Sequence, residues 1–390
     1  MFVLALAHTA FSAKMAVLIS GSNGFYNYRH QADISNMYNQ LLKRGFGQEQ
    51  IVQMCYDDIA SASQNPFKGQ IFHTLEHKNI YPGSASISYK GKQVTAKNFY
   101  DVLTGLPTTS EDNVYIYYDN HGGPGILGVP DGCGGYITAK ELSAAFDTMA
   151  SKNNYKYIFF GLEACYSGSI AEIFKAPRMV TITAANNKES SYAAVMDSAV
   201  GTYLTNEFSN YWMAEMDNNP EETIGDIFEN VKSKTKGSHV CFYGDASMKT
   251  MKISEFLGTP NKIEHVPNRL LDIVPQEVAT KTTLQYLIFN HDDLSVRARA
   301  RLEKHRVEAL TKRLDIVLEE IAKSVDAKNF ELNLSAKDTK INDAYYQVLN
   351  HFFNKFGEIN GDDLPKMFLF VNLAAKHPVK EIIAAIDATL

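Results

Sequence analysis

The chain contains no run of about twenty apolar residues, the length needed to cross a bilayer, so the sequence offers no membrane span. Cysteine is scarce. Four occur in 390 residues, Cys55, Cys133, Cys165 and Cys241, all in the first part of the chain, which excludes a dense disulfide framework. If one is a free nucleophile, at most one disulfide can form among the other three. A basic excess is missing too. With 38 Lys+Arg against 44 Asp+Glu and a formal charge of −6, the balance argues against a nucleic-acid partner, whose phosphates need a basic face. Internal repeats and low-complexity tracts are also absent.

What remains is an ordinary globular composition, 45% hydrophobic and 21% charged, on a chain longer than one typical domain, so two domains are expected. From Met15 to about Met251, short β-branched or aromatic runs alternate with amphipathic stretches. The runs Ala16–Ser20, Gln50–Tyr56, Val114–Tyr118, Tyr157–Leu162, Met179–Thr183 and His239–Tyr243 predict strands. Between them, Ile34, Met37, Tyr38, Leu41 and Leu42 recur at helical spacing until Gly45, and Thr138 with Glu141 predicts a capping box. Near-continuous apolar strands alternating with helices read as a parallel-rich α/β sheet covered on both faces. Around Gly258–Pro275 three prolines and a polar, aperiodic stretch read as a linker. Beyond it the pattern is helical. Ile341, Ala344, Tyr345, Val348, Leu349, Phe352 and Phe353 trace one apolar stripe, and Val379, Ile382, Ile383 and Ile386 another. Residues 295–313 carry seven basic side chains against two acidic ones, a cationic helix that either lies solvated or docks on an acidic neighbour.

The ends of three predicted strands carry chemistry, as loops in such sheets converge where strand order reverses. The first runs into Gly21-Ser22-Asn23-Gly24-Phe25-Tyr26-Asn27-Tyr28-Arg29-His30, the third into Asp119-Asn120-His121-Gly122-Gly123, and the fourth into Glu163-Ala164-Cys165-Tyr166-Ser167-Gly168. A lone cysteine is more often a buried thiol than a nucleophile. Cys165, however, follows an apolar strand and precedes a short helical run, where the helix dipole favours thiolate. His121 stands at another strand end as a base that can activate it. The N–H groups of Gly122 and Cys165 are natural donors to the oxyanion formed when a carbonyl is attacked.

The stretches SGSNGFYNYRHQAD, HGGPG after a tyrosine-rich strand, EACYSGS and AANNKESSYA together resemble the legumain family, the asparaginyl endopeptidases among caspase-like cysteine peptidases. The likeness runs from about Ala16 to Met251 and fades over the helical remainder. It implies a caspase-like sheet over 13–257, a linker or activation peptide over 258–290 and an all-α, death-domain-like prodomain over 291–390. Residues 1–12, with Ala10 and Ser12 at the −3 and −1 positions, read as a signal peptide; a plain N-terminal extension is the alternative.

The resemblance further implies that Cys165 is the nucleophile, His121 the general base, Asn27 its orienting partner and Gly122 the oxyanion glycine. Arg29, His30, Glu163, Ser190, Ser191 and Asn206 would form the primary specificity pocket. An asparagine there offers its carbonyl to Arg29 and its NH₂ to Glu163. No cofactor and no metal is required. The partners implied are protein and peptide substrates, cystatin-type inhibitors, and the chain's own prodomain, a cationic lid over a carboxylate-bearing cleft that acid would loosen in a secretory, lysosome-like compartment or after secretion. Self-processing would follow Asn290, with Asn261 and Asn268 as alternatives, and Asn333 would be glycosylated in the secretory pathway.

The sequence also departs from the pattern. Asn206 stands where a second pocket carboxylate is expected, so the pocket should repel aspartate less and accept Asp after Asn at low pH. Asn120 replaces an aspartate, Tyr166 replaces an acidic residue, and the tail lacks stapling cysteines. A transamidase that attaches lipid anchors, and a peptide ligase, would use the same Cys and His. A non-catalytic binding module on this scaffold would be expected to have lost one of the pair.

Overall fold

The computed structural model of the chain describes residues 14–260, 268, 272–326 and 341–390. The signal-peptide stretch, Asn261 and Asn333 lie outside the described residues. Seven strands make the central sheet. They are β1 (Lys14–Ser20), β2 (Ile51–Cys55), β3 (Tyr89–Lys90), β4 (Asn113–Asp119) and, after a small sheet of β5 (Gly122–Gly123), β6 (Ile126–Leu127) and β7 (Ile137–Thr138), β8 (Tyr157–Glu163) and β9 (Met179–Thr183). Beyond the hairpin β10 (Tyr192–Asp197) and β11 (Thr202–Asn206), β12 (Cys241–Gly244) completes it.

The strand order is β12-β9-β8-β4-β1-β2-β3, and every pair is parallel except β12 against β9. Order therefore reverses between β1 and β4, and the crevice beyond their carboxyl ends is where a site is expected. Covered on both faces, β4 is buried at all seven positions, which is why it reads as a continuous apolar run.

The helices α1 (Tyr28–Lys43), α2 (Ala96–Thr104), α3 (Ala139–Ser151), α4 (Gly168–Ala171), α5 (Glu207–Asn218), α6 (Ile224–Lys234) and α7 (Ser254–Leu257) make the two outer layers. On one face, Ile34 and Tyr38 of α1, Trp212 of α5 and Phe228 of α6 pack on Leu18, Tyr117 and Phe159. On the other, Phe99 of α2 and Leu142 and Phe146 of α3 pack on Val17, Ile116 and Phe160. Thr138 caps α3 by accepting from the Glu141 N–H, but the Glu141 carboxylate takes the Thr138 hydroxyl rather than closing the expected box on the backbone.

Part of the stretch read as a linker or activation peptide through 290 is regular structure. Within it, β13 (Ile273–Pro275) adds to the edge of β10, and α8 (Gln276–Asn290) follows directly. The periodicity of 258–275 is lost because a three-residue strand is too short to print one. After α8 come α9 (Leu294–Val325), which contains the cationic segment, then α10 (Asp343–Phe356), α11 (Phe368–Ala374) and α12 (Val379–Thr389). The two predicted stripes lie in α10 and α12, where Tyr345, Val348, Leu349, Phe352, Ile382 and Ile386 form a core with Leu318 and Ile321 of α9. Each such side chain contributes about 1.5–3 kcal/mol on full burial, and packing takes the place of the absent disulfides.

This region docks on the peptidase half through tyrosines, carboxylates and the ion pair Lys140–Asp343. Tyr345 and Tyr346 hydroxyls donate to the carbonyls of Pro124 and Gly125 at 2.7 and 3.2 Å, and Glu358 accepts from the N–H groups of Gly132 and Gly134.

Candidate active site

Parallel register brings the two reactive residue types together. Asp119 of β4 pairs with Glu163 of β8, and the Asn120 N–H donates to the Glu163 carbonyl at 3.1 Å, so residues 121 and 165 each stand two positions beyond paired strand ends. Gly122 makes the approach possible. A Cβ there would collide with the Cys165 carbonyl oxygen, so only glycine lets the two loops close up. Asn27, in the turn after β1, accepts from His121 Nε2 at 2.8 Å, and its own amide donates to the Asn23 carbonyl. With Nε2 so held, Nδ1 faces the cleft. The His30 ring packs edge-on against His121, with centroids 5.0 Å apart. Burial, and then Arg29, pushes the His121 imidazole well below its usual range.

The cleft is occupied by the chain itself. Ile273, Val274 and Pro275 of β13 pair antiparallel with Ala194, Ala193 and Tyr192 of β10, and the Gln276 N–H donates to the Ser191 carbonyl. This is the geometry of an added peptide strand. The Gln276 side chain then enters a buried pocket. Its Oε1 accepts from Arg29 Nη2 and lies on His30 Nε2, both at 3.1 Å, while its Nε2 donates to Ser191 Oγ at 2.7 Å and to Glu163 Oε1 at 3.3 Å. The next residue, Glu277, places Oε2 3.9 Å from Cys165 Sγ and accepts from Ser190 Oγ at 2.7 Å. On the other side, Asp362 Oδ1 lies 3.5 Å from His121 Nδ1, and Gly361 rests so close to the imidazole that a Cβ would fall 2.5 Å from its Cδ2.

All the pocket and catalytic candidates therefore converge: Cys165, His121, Asn27, Gly122, Arg29, His30, Glu163, Ser190, Ser191 and Asn206. Two expectations are corrected. Cys165 gains little from a helix dipole, since α4 has four residues, and burial together with the Glu277 charge holds its thiol protonated, well above the usual range. The basic side chains of the α9 segment do not lie over the reactive pair, although its Val307 lines the cavity beside Asn27 and His121. Its Arg306 bonds Glu303 of its own helix and stands 3.9 Å from Asp131, whereas an amide and two acids do the covering. All four cysteines are free, within the limit of at most one disulfide that the sequence sets.

Sequence reasoning missed Gln276, Glu277 and Asp362. The one signal for the first two was an extended Ile-Val-Pro followed by an amide, inside a stretch read as a linker or activation peptide. It also missed Asp33 and Asp119, buried behind the pocket, which left no mark in the periodicity. Tyr166, in the left-handed region at φ 55°, packs its ring on Phe368 of α11. Asn120 donates to the Gly21 carbonyl.

Comparison with known proteins bears on this arrangement. The model of the peptidase C13 family matches residues 14–259. Legumain from Mus musculus is 30% identical, covering 95% of this chain and 91% of the relative. A hemoglobinase from Schistosoma japonicum is 36% identical over 72% of this chain and 70% of its own length, and a vacuolar-processing enzyme from Citrus sinensis is 36% identical over 63% and 55%. Among solved structures, a caspase-1 from Spodoptera frugiperda is similar at 12% identity, covering 65% of this chain and 92% of that one with a TM-score of 0.39.

Proposed function

The chain belongs to the peptidase C13 family and is a cysteine endopeptidase; from that premise we propose that it cuts peptide bonds after asparagine, and that the arrangement described above is its latent form. The observation that carries the reading is the Gln276 amide. Its oxygen meets Arg29 and His30 and its nitrogen meets Glu163 and Ser191, the complementarity an asparagine side chain would need.

In the active form, His121 Nδ1 takes the Cys165 proton while sulfur attacks the carbonyl carbon, and the N–H groups of Gly122 and Cys165 receive the developing oxyanion. The amine leaves with the proton from His121, and water then hydrolyses the thioester. Asn27 holds the imidazole throughout. Glutamine is one methylene longer than asparagine, so Gln276 fills the pocket without presenting its own bond to the sulfur. Glu277 and Asp362 cover the thiol and the imidazole.

Latency ends when α8 leaves. Asn290 is the processing site in this reading: it is exposed at the carboxyl end of α8 and followed by the turn His291-Asp292-Asp293. Asn268 is unsuited, since its side chain is buried in bonds to Asn210, Leu75 and His73. An acidic compartment of the secretory route is where this form would open.

The test is direct. The full chain, incubated at about pH 4.5, should hydrolyse an Ala-Ala-Asn amide reporter and yield a fragment ending at Asn290, and Cys165→Ala should do neither. A Cys165→Ala chain as active as the parent would overturn the reading.

A further inference from the structure

Arg29 is wholly buried, yet among the described residues no carboxylate bonds to it. Its Nε donates to Asn206 Oδ1 at 3.0 Å, Nη1 to the Tyr26 carbonyl at 3.2 Å and Nη2 to Gln276 Oε1 at 3.1 Å. A buried cation without a counter-charge is costly. Asp362 acts on it through space, and further carboxyls lie one bond back. Asn206 Nδ2 donates to Asp119 Oδ1 at 2.9 Å and to Asp33 Oδ2 at 3.0 Å.

This arrangement fixes which way the amide points. A guanidinium only donates, so the Asn206 oxygen must face Arg29 and the NH₂ the two carboxyls. Asp33 is itself locked by His73 Nε2 at 2.8 Å, the Thr205 hydroxyl at 2.5 Å and the Asn206 N–H at 3.1 Å. Asp119 also accepts from the Ser209 hydroxyl, which is shared with Glu163, and stands 4.0 Å from His30 Nε2. It therefore backs both groups, Arg29 through Asn206 and His30 directly, that hold the oxygen of the pocket's occupant.

We infer that Asp33 and Asp119 are positioning residues of the primary pocket, holding Asn206 as an amide relay that aims Arg29 at the substrate's side-chain carbonyl. The inference deepens the pocket reading above and rests on it. The carboxyl missing at position 206 is thus not lost from the pocket but set behind it.

The relay and a direct ion pair make opposite forecasts for Asn206→Asp. A carboxylate at 206 would bond Arg29 directly, and if that were all, the variant should bind asparagine substrates at least as well as the parent. In the relay it would face Asp33 and Asp119 at the distances the amide now occupies, with an oxygen where a donor stood. The expected result, measured on the acid-activated full chain with an Asn peptide, is a KM raised about tenfold with kcat less affected, and a lower melting temperature of the full chain at neutral pH. Adding Asp119→Asn puts an amide donor back between the two positions, and Asp119→Asn/Asn206→Asp should recover both quantities toward the parent.

An Asn206→Asp chain that binds as well as the parent, or a double variant no better than Asn206→Asp, would overturn the relay. If Asn206→Asp fails to fold, a double variant that folds supports the relay, and one that also fails counts against it. A parent chain that does not cut the Asn peptide would instead remove the pocket reading, while the melting temperatures would still decide the relay.

Discussion

The peptidase half keeps a cluster of ionisable groups inside. Arg29, Asp33, Asp119 and Glu163 are each fully buried, and each is held by named partners. In the helical half, α9 presents Arg299, Arg301 and Lys312 to solvent along with exposed Leu294 and Leu302, while Asp362 and Asp363 are turned inward. The basic segment 295–313 would suggest that the second region is held on the first as a cation on an anion. The contacts differ: tyrosine hydroxyls on backbone carbonyls, one glutamine amide in a fitted pocket, and carboxyls against the thiol and the imidazole. Directional bonds by a few buried groups outweigh a cationic face, because exposed pairs gain little in water whereas a buried polar group left unpaired is expensive.

The largest expected effect breaks that contrast at its centre. Gln276→Ala deletes the bonds to Arg29, His30, Ser191 and Glu163 and should raise hydrolysis of an Asn reporter by the full chain at neutral pH about ten- to a hundredfold. Arg306→Ala, on the cationic face, should leave latency unchanged. The reverse outcome would hand the latency to charge.

A smaller effect sharpens the peptidase side. Asn27→Ala leaves His121 free to turn, and kcat of the activated enzyme should fall roughly tenfold with KM nearly constant. A rise in KM alone would assign Asn27 to substrate binding. The Asn27 bond to Nε2 makes this a statement about which imidazole nitrogen works as base.

Much of the peptidase half was legible because covered parallel strands print as apolar runs: Met179–Thr183 is predicted to the residue, and the three loops bearing Asn27, His121 and Cys165 follow from strand ends. The α10 stripe was legible for the same kind of reason, a period of 3.6. The occupant of the cleft was not. A strand of three residues has no readable period, and Gln276 gains its meaning only from Arg29 and Glu163, residues 247 and 113 positions away. Asp33 and Asp119 were hidden likewise, since a carboxyl inside a helix or at a strand end reads as a surface charge until its partners are known. The buried networks in which position 206 takes part are tertiary facts.

The smallest effect concerns how acid parts the two halves, and its sign differs from the simple expectation that protonating acids loosens the lid. Burial raises the Asp362 carboxyl to about 7 in the docked state, against about 4 when exposed. Between those values the docked state holds a proton that the open state lacks, so Asp362 favours docking as pH falls and contributes a cost above about pH 7, where it is ionised and buried. Opening in acid must then come from the imidazoles. Burial lowers His30 and His121 well below their usual range, so both stay neutral when docked, gain protons when released, and favour the open state below about pH 6.5. Asp362→Asn removes the opposing contribution. In a Cys165→Ala background, which cannot cut itself in the reading above, the variant should melt a few degrees higher than its parent at about pH 8 and at the same temperature at about pH 4, with a steeper loss of stability in between. A lower melting temperature at pH 8 would mean that an ionised Asp362 holds a charged His121, and the driving group for opening would have to be sought elsewhere.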